Sequence, residues 1–152
     1  NPGGYTDSAT ILFANYGAND GSGAYAYYPS SSATGGDVWL NTSGGVSTTQ
    51  LPIGSYSYST IAHELGHAVG LSHPGKYNAA PGVSITYGNN AQFSQDTEQY
   101  TLMSYFDESN TTGSYGSDPD TLMLFDVLAL QIAAQAGNPR LARRGAGRRR
   151  RV

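Results

Sequence analysis

The stretch His63-Glu64-Leu65-Gly66-His67-Ala68-Val69-Gly70-Leu71-Ser72-His73 constrains this chain more than any other. On an α-helix, His63 and His67 stand one turn apart on one face, so their imidazoles can share one ion, as in the zinc motif H-E-x-x-H. Glu64 falls beside that face, about 100° round from His63. A general base belongs there, next to the water on the ion and outside the coordination sphere. Ile61, Ala62, Leu65, Ala68 and Val69 collect on the other arc as an apolar stripe that can hold the helix against a core. Gly70 lies where such a helix stops, because glycine enters the left-handed region without a Cβ penalty. The chain can turn there and bring His73 back to the same ion. Five uncommon residues at these spacings arise by chance about once in 10⁵ chains of this length. All 3 histidines of the protein lie inside this window.

Cysteine is absent, which excludes thiolate ligation and disulfides and leaves imidazole and oxygen donors. No apolar run approaches the roughly 20 residues of a membrane span. The stretch from Leu122 to Ala134 is interrupted by Asp126 and Gln131, so no membrane role is expected. Charge is divided sharply: residues 1–139 hold all 11 acidic residues and one lysine, Lys76, whereas every arginine lies between Arg140 and Arg151. An arginine run suits contact with nucleic-acid phosphates. This one has no periodicity and reads as a solvated, disordered tail over 140–152 with no nucleic-acid partner.

Further residues extend the motif. Gly70-Leu71-Ser72-His73-Pro74-Gly75, Tyr77-Asn78 and Gln99-Tyr100-Thr101-Leu102-Met103-Ser104-Tyr105-Phe106 resemble the serralysins, secreted bacterial zinc proteases among the metzincins. The resemblance runs from about Ala9 to about Gln131. It implies an α+β, metzincin-like zincin: a partial twisted mixed sheet, an active-site helix, a Met-turn and a C-terminal helix. It also implies a catalytic domain over 1–139 whose first strands would precede Asn1.

In that family one zinc ion is held by the residues matching His63, His67 and His73. Tyr105 matches a tyrosine that reaches the zinc as an extra ligand and then hydrogen-bonds the developing oxyanion. Glu64 would activate the zinc-bound water, and Met103 would floor the histidines without ligating. Val38, Trp39 and Leu40 are expected to bind substrate, on strands that would include the family's edge strand, and Ala24 to Pro29 alternates small and aromatic residues and ends at a proline as a strand near a sheet edge does. The implied activity is endopeptidase cleavage of protein or peptide substrates by an extracellular, monomeric bacterial enzyme; the alternative is a catalytically inactive zinc-binding fragment. Calcium is possible in the family, but the glycine- and aspartate-rich repeats that bind it are absent here.

Local signals place the elements. Strands are expected over 9–16, 24–29 and 37–41 from their β-branched and aromatic content, and Ser57 or Ser59 is available to cap the zinc helix. Little periodicity follows Pro74 until about Asp96, with turns at Pro81-Gly82 and Gly88-Asn89-Asn90. Asp118-Pro119-Asp120 can start a last helix, with Leu124, Leu128 and Ile132 as its core stripe at four-residue spacing.

Overall fold

The computed structural model describes residues 11–137. The arginine tail expected over 140–152, the end of the domain expected at 139 and the start of the strand expected from Ala9 lie outside the described residues. The elements run β1 (Phe13–Tyr16), β2 (Ala24–Ala26), β3 (Val38–Asn41), α1 (Tyr56–Ala68), α2 (Tyr87–Asn90), a 3₁₀ turn (Glu108–Asn110) and α3 (Leu124–Gly137). Their mixture of a small sheet with helices that follow it in sequence is α+β.

The sheet has the order β1-β3-β2. β1 runs parallel to β3, with Phe13 opposite Val38, and β2 runs antiparallel to it, with Tyr25 opposite Trp39. Period-two alternation sends Val38 and Leu40 to the helix side. There they form a core with Val46 and Ala68, covered by Ile11, Ala24, Ala26 and Ile61. Trp39 points to the other face and stacks on Tyr25, with ring centroids 6.1 Å apart and planes 9° from parallel.

This arrangement corrects one expectation. Val38, Trp39 and Leu40, expected to bind substrate, lie on a strand that is bonded on both sides among the described residues, and Val38 and Leu40 are 0% and 5% exposed. Their β-branched and apolar character reflects a central strand with one face in the core. The edge next to them is β2, which also packs against α1.

Helix α1 begins one residue pair earlier than the serines at 57 and 59 suggest. Ser55 is the N-cap, with extended backbone and a hydroxyl that accepts from the Tyr58 N–H at 3.3 Å. Ser57 and Ser59 lie inside the helix and are buried; the Ser57 hydroxyl accepts the Ser47 N–H instead. Of the expected apolar stripe, Ala68 and Ile61 reach the core, while Val69 is exposed.

The larger correction concerns α3. Leu124, Leu128 and Ile132 are 67%, 50% and 58% exposed, and Asp126 at 2% is the buried residue of the helix. The helix docks through a polar anchor. Asp126 accepts from the Thr101 hydroxyl (2.5 Å) and from the backbone N–H groups of Leu102 (2.7 Å) and Met123 (2.8 Å). Beside it Phe125 stacks on Tyr100, and its N–H donates to the Tyr100 carbonyl. A buried carboxylate that accepts three hydrogen bonds outweighs the four-residue apolar period, because leaving it unpaired would cost more than exposing leucines.

Candidate active site

The histidines owe their convergence to how α1 ends. Gly70 has φ +106°. The Leu71 N–H bonds the Gly66 carbonyl at 2.8 Å and the Gly70 N–H bonds the His67 carbonyl at 2.9 Å. That pair of bonds is the Schellman closure, which needs a left-handed residue at the Gly70 position. The reversal aims the Leu71 carbonyl back at His67 and returns the chain to His73.

Each imidazole is oriented by a backbone carbonyl. Nδ1 of His63 lies 2.8 Å from the Leu102 oxygen, Nδ1 of His67 lies 2.7 Å from the Leu71 oxygen, and Nδ1 of His73 lies 2.8 Å from the Tyr77 oxygen. A carbonyl only accepts, so every Nδ1 carries the proton and every Nε2 presents its lone pair. The Nε2 atoms meet: His73 Nε2 is 3.0 Å from that of His63 and 3.0 Å from that of His67. Tetrahedral zinc with bonds of about 2.05 Å sets its nitrogen ligands roughly 3.3 Å apart. Three lone pairs this close repel one another unless a cation lies among them, so the donor set fits a divalent metal.

Electrostatics agree with the geometry. Burial, then the neighbouring His67 and His73, pushes His63 down to about 3 against the bond to Leu102. Burial and His67 push His73 down to about 4, and burial lowers His67. All three rings are therefore neutral ligands at neutral pH.

Glu64 is 6% exposed, and its Oε2 is buried without a hydrogen-bond partner. Desolvation pushes its carboxyl up to about 7. It lines a cleft of about 350 Å³ together with His63, Tyr105 and Ala24 of the edge strand β2. The Tyr105 ring stands against His73 and His63, with centroids 4.5 Å and 5.7 Å away. Burial, set against a backbone hydrogen bond at Ala79, raises its phenol to about 12. Met103 is 1% exposed and packs under α1 at Gly66. Thus the structure gathers His63, His67 and His73 with Tyr105 beside them, places His63, Glu64 and Tyr105 on the cleft, sets Met103 beneath the helix, and leaves Val38 and Leu40 in the core.

The reprolysin-like profile of metallo-peptidase family M12B matches residues 3–136. This chain belongs to that family. The chain is 41% identical over 136 residues to a serralysin of Photorhabdus luminescens, covering 86% of this chain and 27% of the relative. It is 45% identical over 133 residues to the metalloprotease AprA of Pseudomonas entomophila, covering 80% and 26%, and 39% identical over 134 residues to serralysin B of Dickeya chrysanthemi, covering 81% and 27%. The chain spans about a quarter of the length of the curated relatives it matches. The family resemblance expected from the motif is borne out, and the family implies zinc for the histidine group.

Several members of the site were not singled out from the sequence. Gly66, inside the motif, leaves room for the Met103 sulfur. Asp96 is fully buried and accepts from the hydroxyls of Tyr77 (2.7 Å) and Ser104 (2.9 Å), fixing the ring that stacks on His73. Glu98 and Asp118 also line the cleft. Burial, then Asp118, Asp107 and Glu108, raises Glu98 to about 7. An acidic residue alone carries no position signal; only the meeting of distant segments makes these three informative.

Proposed function

We propose that this chain is the catalytic domain, over 1–139, of a serralysin-type zinc endopeptidase. The observation that carries the reading is the convergence of three Nε2 lone pairs beside a buried carboxylate oxygen that has no partner. His63, His67 and His73 would hold the ion, and Tyr105 stands where a fourth protein ligand could approach. Zinc, when bound, supplies Lewis acidity and brings the acidity of a water toward neutral pH.

The chain's own residues do the rest. Glu64, raised to about 7, takes a proton from the attacking water and returns it to the leaving amine, its affinity for the proton lying near the working pH. Tyr105, raised to about 12, keeps its phenol proton and donates it as a hydrogen bond to the carbonyl oxygen as negative charge develops there. Met103 plays the part of the family's Met-turn methionine, and Gly70 closes the helix so that His73 can return. The edge of β2, in place of the central β3, offers main-chain pairing to an extended peptide. Pairing through the main chain suits proteins and peptides of varied sequence.

By the same resemblance the protein is secreted and works outside the cell as a monomer. No helix among the described residues is long and apolar enough to cross a membrane. Metal content measured together with peptidase activity, before and after 1,10-phenanthroline, tests the assignment. Expected are one zinc per chain, casein cleavage, and loss of both on chelation with recovery on adding zinc. Zinc retention without cleavage would reassign the chain as a zinc-binding module.

A further inference from the structure

We propose that Asp126 is a positioning residue for the metal centre, acting on His63 through a hydrogen-bond chain made of the Thr101 hydroxyl and the peptide unit between Leu102 and Met103. The proposal rests on the reading of the three histidines as a zinc site.

The links are continuous. His63 Nδ1–H donates to the Leu102 carbonyl at 2.8 Å. That carbonyl shares its peptide plane with the Met103 N–H, which donates to the Thr101 hydroxyl oxygen at 3.1 Å. The Thr101 hydroxyl donates in turn to Asp126 Oδ1 at 2.5 Å. Every donor in the series points the same way, from imidazole to carboxylate, so each bond polarises the next. The other oxygen, Oδ2, accepts the Leu102 N–H and the Met123 N–H, which holds residue 102 from its amide side as well.

Burial makes the chain effective. Asp126, Thr101, Leu102 and Met103 are all 3% exposed or less, and in so dry an environment a carboxylate's charge is felt across hydrogen bonds that water would screen. The consequence is an Nδ1–H drawn toward its carbonyl, hence a ring held in one orientation and a more basic Nε2. Groups that act in this way on a metal-ligating histidine typically change metal affinity by about 10–100-fold. A capping role alone accounts for the bonds to Met123 and Leu102, but not for a threonine hydroxyl interposed between Asp126 and the peptide that His63 uses.

Thr101→Val separates the two roles, because it leaves both backbone bonds of Asp126 in place and removes only the hydroxyl. In the metal-free protein the His63 Nδ1–H resonance should move upfield in Thr101→Val and in Asp126→Asn, and return in Thr101→Ser. Zinc affinity, read by competition with a chromophoric chelator, should fall about tenfold or more in the first two variants and recover in the third. The double variant should lose little beyond either single one. Wild-type zinc affinity and an unmoved resonance in Thr101→Val would overturn the proposal, even if Asp126→Asn fails to fold. A wild-type chain that retains no zinc would instead refute the metallopeptidase reading, and the resonance of the metal-free protein would still decide the relay.

Discussion

The sulfur of Met103 occupies the space in which a Cβ at residue 66 would stand. Gly66 is part of the helix that carries His63 and His67, and Met103 lies one residue beyond the carbonyl that orients His63. The helix can therefore settle onto the methionine only because residue 66 has no side chain. Gly66→Ala adds about 1 kcal/mol of helix propensity but overpacks the interface, which costs about 1–3 kcal/mol. The variant should melt below wild type, and Met103→Ala should relieve part of its own defect in the Gly66→Ala background. A Gly66→Ala protein as stable as wild type in denaturant titration would show that the contact does not constrain the helix.

Glu64→Gln should keep zinc and lose about 10²–10⁴ in kcat, the range that a general acid–base group supplies. Glu64 lines the cleft and its Oε2 has no hydrogen-bond partner, so the amide of the same shape should be accommodated. Near-normal casein cleavage at full zinc content would remove Glu64 from the mechanism.

The same residue should leave a mark on stability in the metal-free protein. Its carboxyl rises from 4.5 to about 7 on folding because burial disfavours the charge. The native state therefore holds the proton more tightly, and the contribution of Glu64 is favourable below pH 4.5 and lost as pH rises through 7. Fully ionised, it costs on the order of 3 kcal/mol. His63 and His73, lowered to about 3 and 4, act in the opposite sense: their contribution is lost as pH falls below 6.5. Comparison with Glu64→Gln isolates the glutamate. The variant should be the more stable at pH 8, with the gap closing toward pH 4.5; a gap independent of pH would contradict the burial of an ionisable carboxyl there.

Tyr105→Phe should lower kcat by about tenfold to a hundredfold, less than loss of an oxyanion-hole donor in a site with no other electrophile. KM should change little, since the proposed bond forms as charge develops on the carbonyl oxygen. A rise in KM with kcat intact would make Tyr105 a wall of the cleft and nothing more.

How much of this could be read from one dimension follows from the range of each interaction. The zinc helix was legible because its information is local: a four-residue interval places His63 and His67 on one face, and Gly70 ends the helix within one turn. The three strands were placed near their observed positions for the same reason, since β-branched and aromatic content acts over a few residues. Errors arose where a local period met a distant partner. The leucine stripe of α3 was read as core, but the helix turns Asp126 inward to meet Thr101 and Leu102, some 25 residues earlier in the chain. Val38, Trp39 and Leu40 are expected to bind substrate, but β2 and β1 close on both sides of them; the edge lies at Ala24–Ala26, where the alternation ending at Pro29 suggests it.

The amino-acid order by itself determined the proposed ligand set, the proposed base beside it and the turn that returns His73, because helical periodicity and the conformational freedom of glycine act within a dozen residues. Only the tertiary structure decided that Val38 and Leu40 are buried in a strand paired on both sides, which face of α3 is buried, and that Asp126, Asp96 and Gly66 pack behind the histidines. Those outcomes depend on hydrogen bonds and packing between segments far apart in the chain, and a buried carboxylate's need for donors can be met only after the fold has brought them together.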